Sequence, residues 1–119
     1  MNSLTTNANN PKRGEIWIVN LDPTRGAEKQ KTRPVLVVSS DSIESIPLRI
    51  IAPITTWQNK FATSLWHVKI EANKANGLKD NSAIDALQIR AVSTQRFSSN
   101  IGRASGDVVE EVTAAVAAR

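Results

Sequence analysis

Bulky apolar and β-branched residues alternate through "RGEIWIVNL" (residues 13–21), a pattern that signals a strand. A second strand is predicted at "RPVLVVSS" (33–40), where Pro34 suits a strand-opening or edge position. A third follows at "RIIAPITT" (49–56), a fourth at "LWHVKIEA" (65–72) and a last, long one at "AIDALQIRAV" (83–92). Between them, "DPTRGAEKQKT" (22–32) mixes proline, glycine and charges of both signs and reads as a long exposed loop. "DSIESIPL" (41–48) reads as a turn or short helix, "WQNKFATS" (57–64) as a loop, and "NKANGLKDNS" (73–82) as turn chemistry throughout. Residues 93–105 read as a linking segment. The period then changes: Val108, Val109, Val112, Ala115 and Val116 recur at helical spacing, with acids early and Arg119 last, as the helix dipole prefers.

Short strands with turns about every ten residues, closed by one helix, predict a mainly β fold with some α. The expected form is a small antiparallel barrel with a C-terminal helix. The connections are too short for helical crossovers, so a parallel sheet is not expected. "MNSLTTNANN" is polar and uncharged; residues 1–11 are expected to be a disordered leader, and 12–119 a single domain.

Composition narrows the chemistry. The chain has 119 residues, 40% of them hydrophobic, enough for one modest core. It has no cysteine, so disulfides and thiolate metal sites are excluded. Its one histidine, His67, sits in a predicted strand and is assigned a packing role. No multi-histidine metal site or Ser-His-Asp system is expected, and no cofactor. A net charge of +4 tilts the expected partner toward polyanions. No run approaches the roughly 20 apolar residues of a membrane span, so the expected location is the cytoplasm.

Arg25, Lys29, Lys31 and Arg33 gather in the first loop and at the start of the second strand. Arginine presents a planar fork of donors that matches phosphate and stays charged at any working pH, so Arg33 on a rigid strand suits a phosphodiester. The competing reading is a set of solvated loop charges. Thr55 and Thr56 end an apolar strand, where a hydroxyl is placed either to meet a phosphate oxygen or to satisfy the strand end. Asp85 and Gln88 interrupt the last strand; Asp85 is either an ion-pair partner of Arg49 or Arg90 or a group facing a cleft. Trp57, in a polar loop, is a candidate for stacking on an unpaired base, whereas Trp17 and Trp66 lie in strands and are expected in the core or at a subunit contact. The glycines form no phosphate-binding loop.

The order "RGEIW", "LDP", a G-x-E at Gly26 to Glu28, "RPVLV", "PIT", "NGLKDNSAIDALQIRAV" and "QRF" resembles the MazF/PemK/Kid family of toxin endoribonucleases over residues 12–119. The resemblance implies a CcdB/Kid/MazF-like fold, an SH3-like barrel with a C-terminal helix, acting as a homodimer. It implies a toxin of a type II toxin–antitoxin system that cleaves single-stranded RNA, chiefly mRNA, at short motifs and without metal. A MazE-like antitoxin would cover the RNA groove, and the joint complex would bind DNA. The catalytic pair carried over is Arg33 and Thr55, with Glu28 third, as general base or loop anchor. Lys29, Lys31, Thr56, Trp57, Asp85 and Gln88 are carried over as RNA-binding residues. Lys29 stands where the family often has glutamine, and Leu87 where many members have an acid; Asp85, two residues earlier on the same strand face, is placed to replace that acid. A noncatalytic CcdB-like gyrase poison and an inactive RNA-binding homologue are the alternatives.

Overall fold

The computed structural model describes residues 9–21 and 32–118. Across them run β1 (Glu15–Asn20), β2 (Thr32–Val37), β3 (Leu48–Thr56), β4 (His67–Ile70), β5 (Ser82–Asp85), β6 (Arg90–Ser93) and β7 (Phe97–Arg103), then helix α1 (Gly106–Ala118). All pairs are antiparallel, in the order β4-β5-β3-β2-β1-β7, with β6 also on β3. The mainly β fold with a C-terminal helix is the one the hydrophobic pattern predicts.

β3 organises the sheet. One of its edges pairs with β2, from Val35↔Pro53 to Val37↔Ile51. Its other edge is shared, with β6 on Leu48 to Ile51 and β5 on Ile54 to Thr56. The single strand expected over 83–92 is therefore two strands. Asp85 is responsible: its Oδ1 accepts the Leu87 N–H at 3.0 Å, and Ala86 to Gln88 form one 3₁₀ turn. A short acidic side chain that bonds the backbone two residues on offers a local alternative to the ladder.

β7 occupies the segment that reads as a linker. Ser98, Ser99 and Asn100 are all exposed, so this edge strand shows no alternation. Its pairing with β1 also shifts register twice, between Ile16 and Trp17 and between Ile18 and Val19. No strand ladder closes β7 onto β4 among the described residues. The β4–β5 connection bridges the gap: Arg103 donates its backbone N–H to Ala75 O at 2.9 Å. Gly102 permits this approach, because a Cβ there would lie 2.4 Å from both Ala75 O and the Asn76 carbonyl carbon.

Alternate residues feed two cores. On one face Ile16, Leu36, Ala52, Ile54, Val68, Ile70 and Ile84 meet α1 through buried Val112, with Val108, Val109, Ala115 and Val116 packed alongside. On the other face Trp17, Val19, Val35, Val37, Ile51, Val92 and Phe97 form a second cluster. Of the two places expected for Trp17 and Trp66, core or subunit contact, Trp17 takes the core, and Trp66, 38% exposed, lies outside it.

Arg49 is 3% exposed and bonds the backbone rather than an acid. Its Nε donates to Pro11 O at 2.9 Å, and its Nη1 donates to Ile46 O at 2.7 Å and Leu48 O at 2.8 Å. Its Nη2 donates to Asn10 Oδ1 at 2.9 Å, so Arg49 ties residues 10 and 11 to the sheet. No helix of the described residues is long and apolar enough to cross a membrane.

Candidate active site

Arg33 stands on β2 opposite Val19 of β1. On the other side of β2, continuing the Val35↔Pro53 register by two residues brings Arg33 across from Thr55 of β3. Arg33, Val35 and Val37 share one face of β2, and Thr55, Pro53 and Ile51 share the matching face of β3. The two pairs behind them make a rigid mount. At the rim the pattern changes: Arg33 is exposed and Thr55 half-buried.

Arg33 and Thr55 both line two grooves and so mark the junction between them. The first, about 510 Å³, runs past Thr56 and Ser82 to Lys79 and Asp80. The second, about 360 Å³, runs past Phe61, His67, Asp85, Gln88 and Arg90. An extended chain crossing the junction would have room for a residue on each side of the arginine–threonine pair.

The second groove draws on β2 to β6, and the β4–β5 register sets His67 opposite Asp85 across it. His67 Nε2 lies 3.7 Å from Asp85 Oδ2. Its Nδ1 is 2.8 Å from Ser64 Oγ, and its ring stacks on Phe61 with centroids 4.0 Å apart. Phe61 in turn meets Trp57 edge-on at 5.7 Å, and Lys69 Nζ sits 5.0 Å from the Trp57 centroid. The result is an aromatic wall behind a row of polar groups.

Most of the described residues selected from sequence come together here. Arg33, Thr55, Asp85 and Gln88 share the second groove, and Thr56 lies in the first. Asp85 faces this cleft rather than Arg49, and Arg90 lines the same groove. Asp85 and Gln88 are neighbours for a reason other than strand alternation, because β5 ends at Asp85. The 3₁₀ turn that follows has three residues per turn, which brings positions three apart to one side. Trp57 lies behind Phe61, and it is Phe61 that reaches the groove. Glu28, Lys29 and Lys31 lie outside the described residues.

His67 packs on Phe61, in keeping with the packing role read from sequence, but that both residues also line the second groove is not legible in the sequence. The lone histidine in "LWHVKI" carries no motif, and its proximity to Asp85 depends on a strand register that spacing along the chain does not reveal. Among the described residues no three His, Asp or Glu side chains gather as a metal-ligand set.

Comparison with known proteins places the chain in a family. Residues 12–118 match the family described as PemK-like, MazF-like toxin of type II toxin–antitoxin system. Endoribonuclease MazF9 of Mycobacterium tuberculosis is 36% identical over 100 residues, covering 79% of this chain and 82% of that protein. Endoribonuclease EndoA of Bacillus subtilis is 34% identical over 106 residues, covering 88% and 90%. A MazE–MazF crystal structure from Deinococcus radiodurans has the same fold, with a TM-score of 0.74 at 22% identity over 92% of this chain and 94% of that one. The chain belongs to the PemK-like, MazF-like toxins of type II toxin–antitoxin systems.

Proposed function

We propose that this toxin is an endoribonuclease that cuts single-stranded mRNA at short sequence motifs without a metal ion. The observation that carries the proposal is the meeting of Arg33 and Thr55, from adjacent strands, at the junction of two grooves. The endoribonuclease relatives support the reaction class.

The chemistry needs little from the protein, because RNA carries its own nucleophile. The ribose 2′-oxygen attacks the adjacent phosphorus, and the bond to the 5′-oxygen breaks. The products are a 2′,3′-cyclic phosphate and a 5′-hydroxyl. Arg33 neutralises the charge that builds on the phosphoryl oxygens, where a prepositioned cation contributes most. Thr55 donates its hydroxyl to a phosphoryl oxygen or aligns the 2′-hydroxyl. Glu28 is the carboxylate that takes the 2′ proton. Thr56, Asp85 and Gln88 hold the flanking nucleotides, Trp57 backs the Phe61 ring that faces them, and Lys29 and Lys31 attract the backbone. The working form is a cytoplasmic homodimer. A cognate MazE-like antitoxin neutralises it, a pairing that the MazE–MazF neighbour supports.

The test is incubation of the purified chain with a long single-stranded RNA in EDTA. Discrete fragments are expected, with 5′ ends that polynucleotide kinase labels directly and 3′ ends that resist ligation until the cyclic phosphate is removed. Intact RNA, or 5′-phosphate ends, would refute the proposal. Primer extension across the fragments then reads the cut motif.

A further inference from the structure

The first groove holds a charge that the mechanism above does not use. Arg33 and Lys79 line it, as suits a phosphate backbone, yet Asp80 lines it too and is the one acid there among the described residues. Asp80 is exposed, and its carboxylate makes no ion pair or hydrogen bond among the described residues. A carboxylate repels the phosphates that Arg33 and Lys79 attract, so by itself it weakens backbone binding. The backbone around Asp80 is fixed on both sides. Ser82, 5% exposed, donates its hydroxyl to Asp80 O at 2.7 Å, and Asn81 O accepts the Trp57 N–H at 2.9 Å. On the other side Asn76 is 1% exposed. Its Oδ1 accepts from Asn73 N at 3.1 Å and Leu78 N at 3.0 Å, and its Nδ2 donates to Glu71 O at 2.8 Å. Gly77 then lies against Ile101 of β7. Asp80 is therefore carried on a braced connection, as a group that discriminates by geometry must be.

Ile18, Pro34, Ile54, Leu78 and Ile101 give the same groove apolar walls. A base beside a phosphate held at Arg33 and Thr55 would lay its faces on these walls and turn its edge to Asp80. In single-stranded RNA the Watson–Crick edge is free to be read. An ionised carboxylate only accepts, and its two oxygens suit two parallel donors. Guanine alone presents such a pair on that edge, N1–H beside the N2 amino group. Adenine and cytosine set a ring-nitrogen acceptor beside their amino group, and uracil flanks its N3–H with two carbonyls. Each of those bases would turn a lone pair toward the carboxylate. We propose that Asp80 selects guanine at the nucleotide adjoining the cut, accepting hydrogen bonds from N1–H and the N2 amino group. The proposal rests on the endoribonuclease reading above. Repulsion between Asp80 and the RNA backbone adds to the selectivity, because only guanine offsets it.

Primer extension across the fragments of a long RNA should show guanine at one fixed position adjoining the cut. Oligonucleotides that differ only at that position then measure the preference in wild type and in Asp80→Ala. Wild type is expected to cut the guanine form with a kcat/KM about 10-fold or more above that of the adenine form, the usual discrimination of a bidentate contact. Inosine, which keeps N1–H but lacks the N2 amino group, should fall between them. Asp80→Ala should bring the guanine-to-adenine ratio down to about one, whereas loss of a merely solvated loop charge would not move the ratio. A motif with no fixed guanine beside the cut, or an unchanged ratio in Asp80→Ala, would overturn the proposal. If Asp80→Ala fails to fold by circular dichroism, Asp80→Asn, which keeps the shape but replaces one acceptor by a donor, must lower the same ratio. A wild-type protein that leaves every RNA intact would instead refute the endoribonuclease reading.

Discussion

Asp85 and Gln88 face the same groove from opposite ends of one 3₁₀ turn, although the turn breaks the strand that alternation predicts through them. Asp85 therefore has two roles that substitution separates: its Oδ1 caps the turn at Leu87 N, and its Oδ2 faces His67. Asp85→Ala should cost about 1 kcal/mol of stability through the lost cap and slow cleavage about 10-fold or more. Asp85→Asn keeps an oxygen for the cap but removes the charge, so it should unfold near the wild-type urea midpoint and still cut slowly. Unaltered cleavage by both variants would remove Asp85 from the site.

Arg33 and Thr55 should separate function from stability more sharply. Arg33 is exposed on its strand, so Arg33→Ala should leave unfolding within about 0.5 kcal/mol of wild type. Cleavage in EDTA should fall by about 10²–10³ or more, the usual cost of removing a charge-stabilising donor. Thr55→Ala should behave similarly, and both variants should cease to arrest growth when expressed without antitoxin. Full cleavage by either would sink the assignment.

The parts of the fold legible in the sequence are those whose neighbours are repetitive. β1, β2 and β3 are near-continuous apolar runs because a core lies on each of their faces, and α1 has helical spacing because Val112 and its neighbours cover one face of the sheet. Arg33 and Thr55 are recognisable because each ends such a run. β7 is hidden because an edge strand of serine and asparagine needs no apolar partner on its exposed side. The break at Asp85 is hidden because a side-chain cap two residues long leaves no periodic trace. His67 is hidden for a third reason: its site exists only through the pairing of β4 with β5.

The contact of β7 with the β4–β5 connection, which reaches the first groove at Gly77 and Ile101, gives a stability test. A methyl group on Gly102 would meet backbone that cannot rotate away, with Ala75 O at 2.4 Å. Gly102→Ala should therefore cost about 2–3 kcal/mol in urea unfolding, at the upper end of overpacking penalties. Gly77 is the opposing half of this contact. Its φ is +71° and a Cβ there would lie 2.0 Å from Ile101 O, so Gly77→Ala should be at least as costly. Wild-type midpoints for both would mean that the connection does not bind β7.

Arg49 anchors residues 10 and 11 through its guanidinium, and no acid is needed for that role. Arg49→Met keeps the apolar stem but leaves the Pro11, Ile46 and Leu48 carbonyls without their donor. A loss of about 2–4 kcal/mol is expected, since buried acceptors are left unsatisfied. Removing residues 1–11 should reproduce part of the Arg49→Met loss, because Asn10 and Pro11 are two of its acceptors. A full-length-like midpoint for the 1–11 truncation would detach this segment from the fold.

RNA that binds but cannot react isolates the electrostatics of the two grooves. A single 2′-deoxy substitution at the cut site removes the nucleophile, so the oligonucleotide should bind and remain whole. Each phosphate neutralised on a single strand contributes about −0.7 to the slope of log K against log salt. Arg33→Ala and Lys79→Ala, which remove cations from the junction and the first groove, should each flatten that slope by about 0.7. Lys74→Ala, a lysine that lines neither groove, should leave it unchanged. Identical slopes for all three variants would show that the RNA backbone does not follow these grooves, even if the chain cuts RNA.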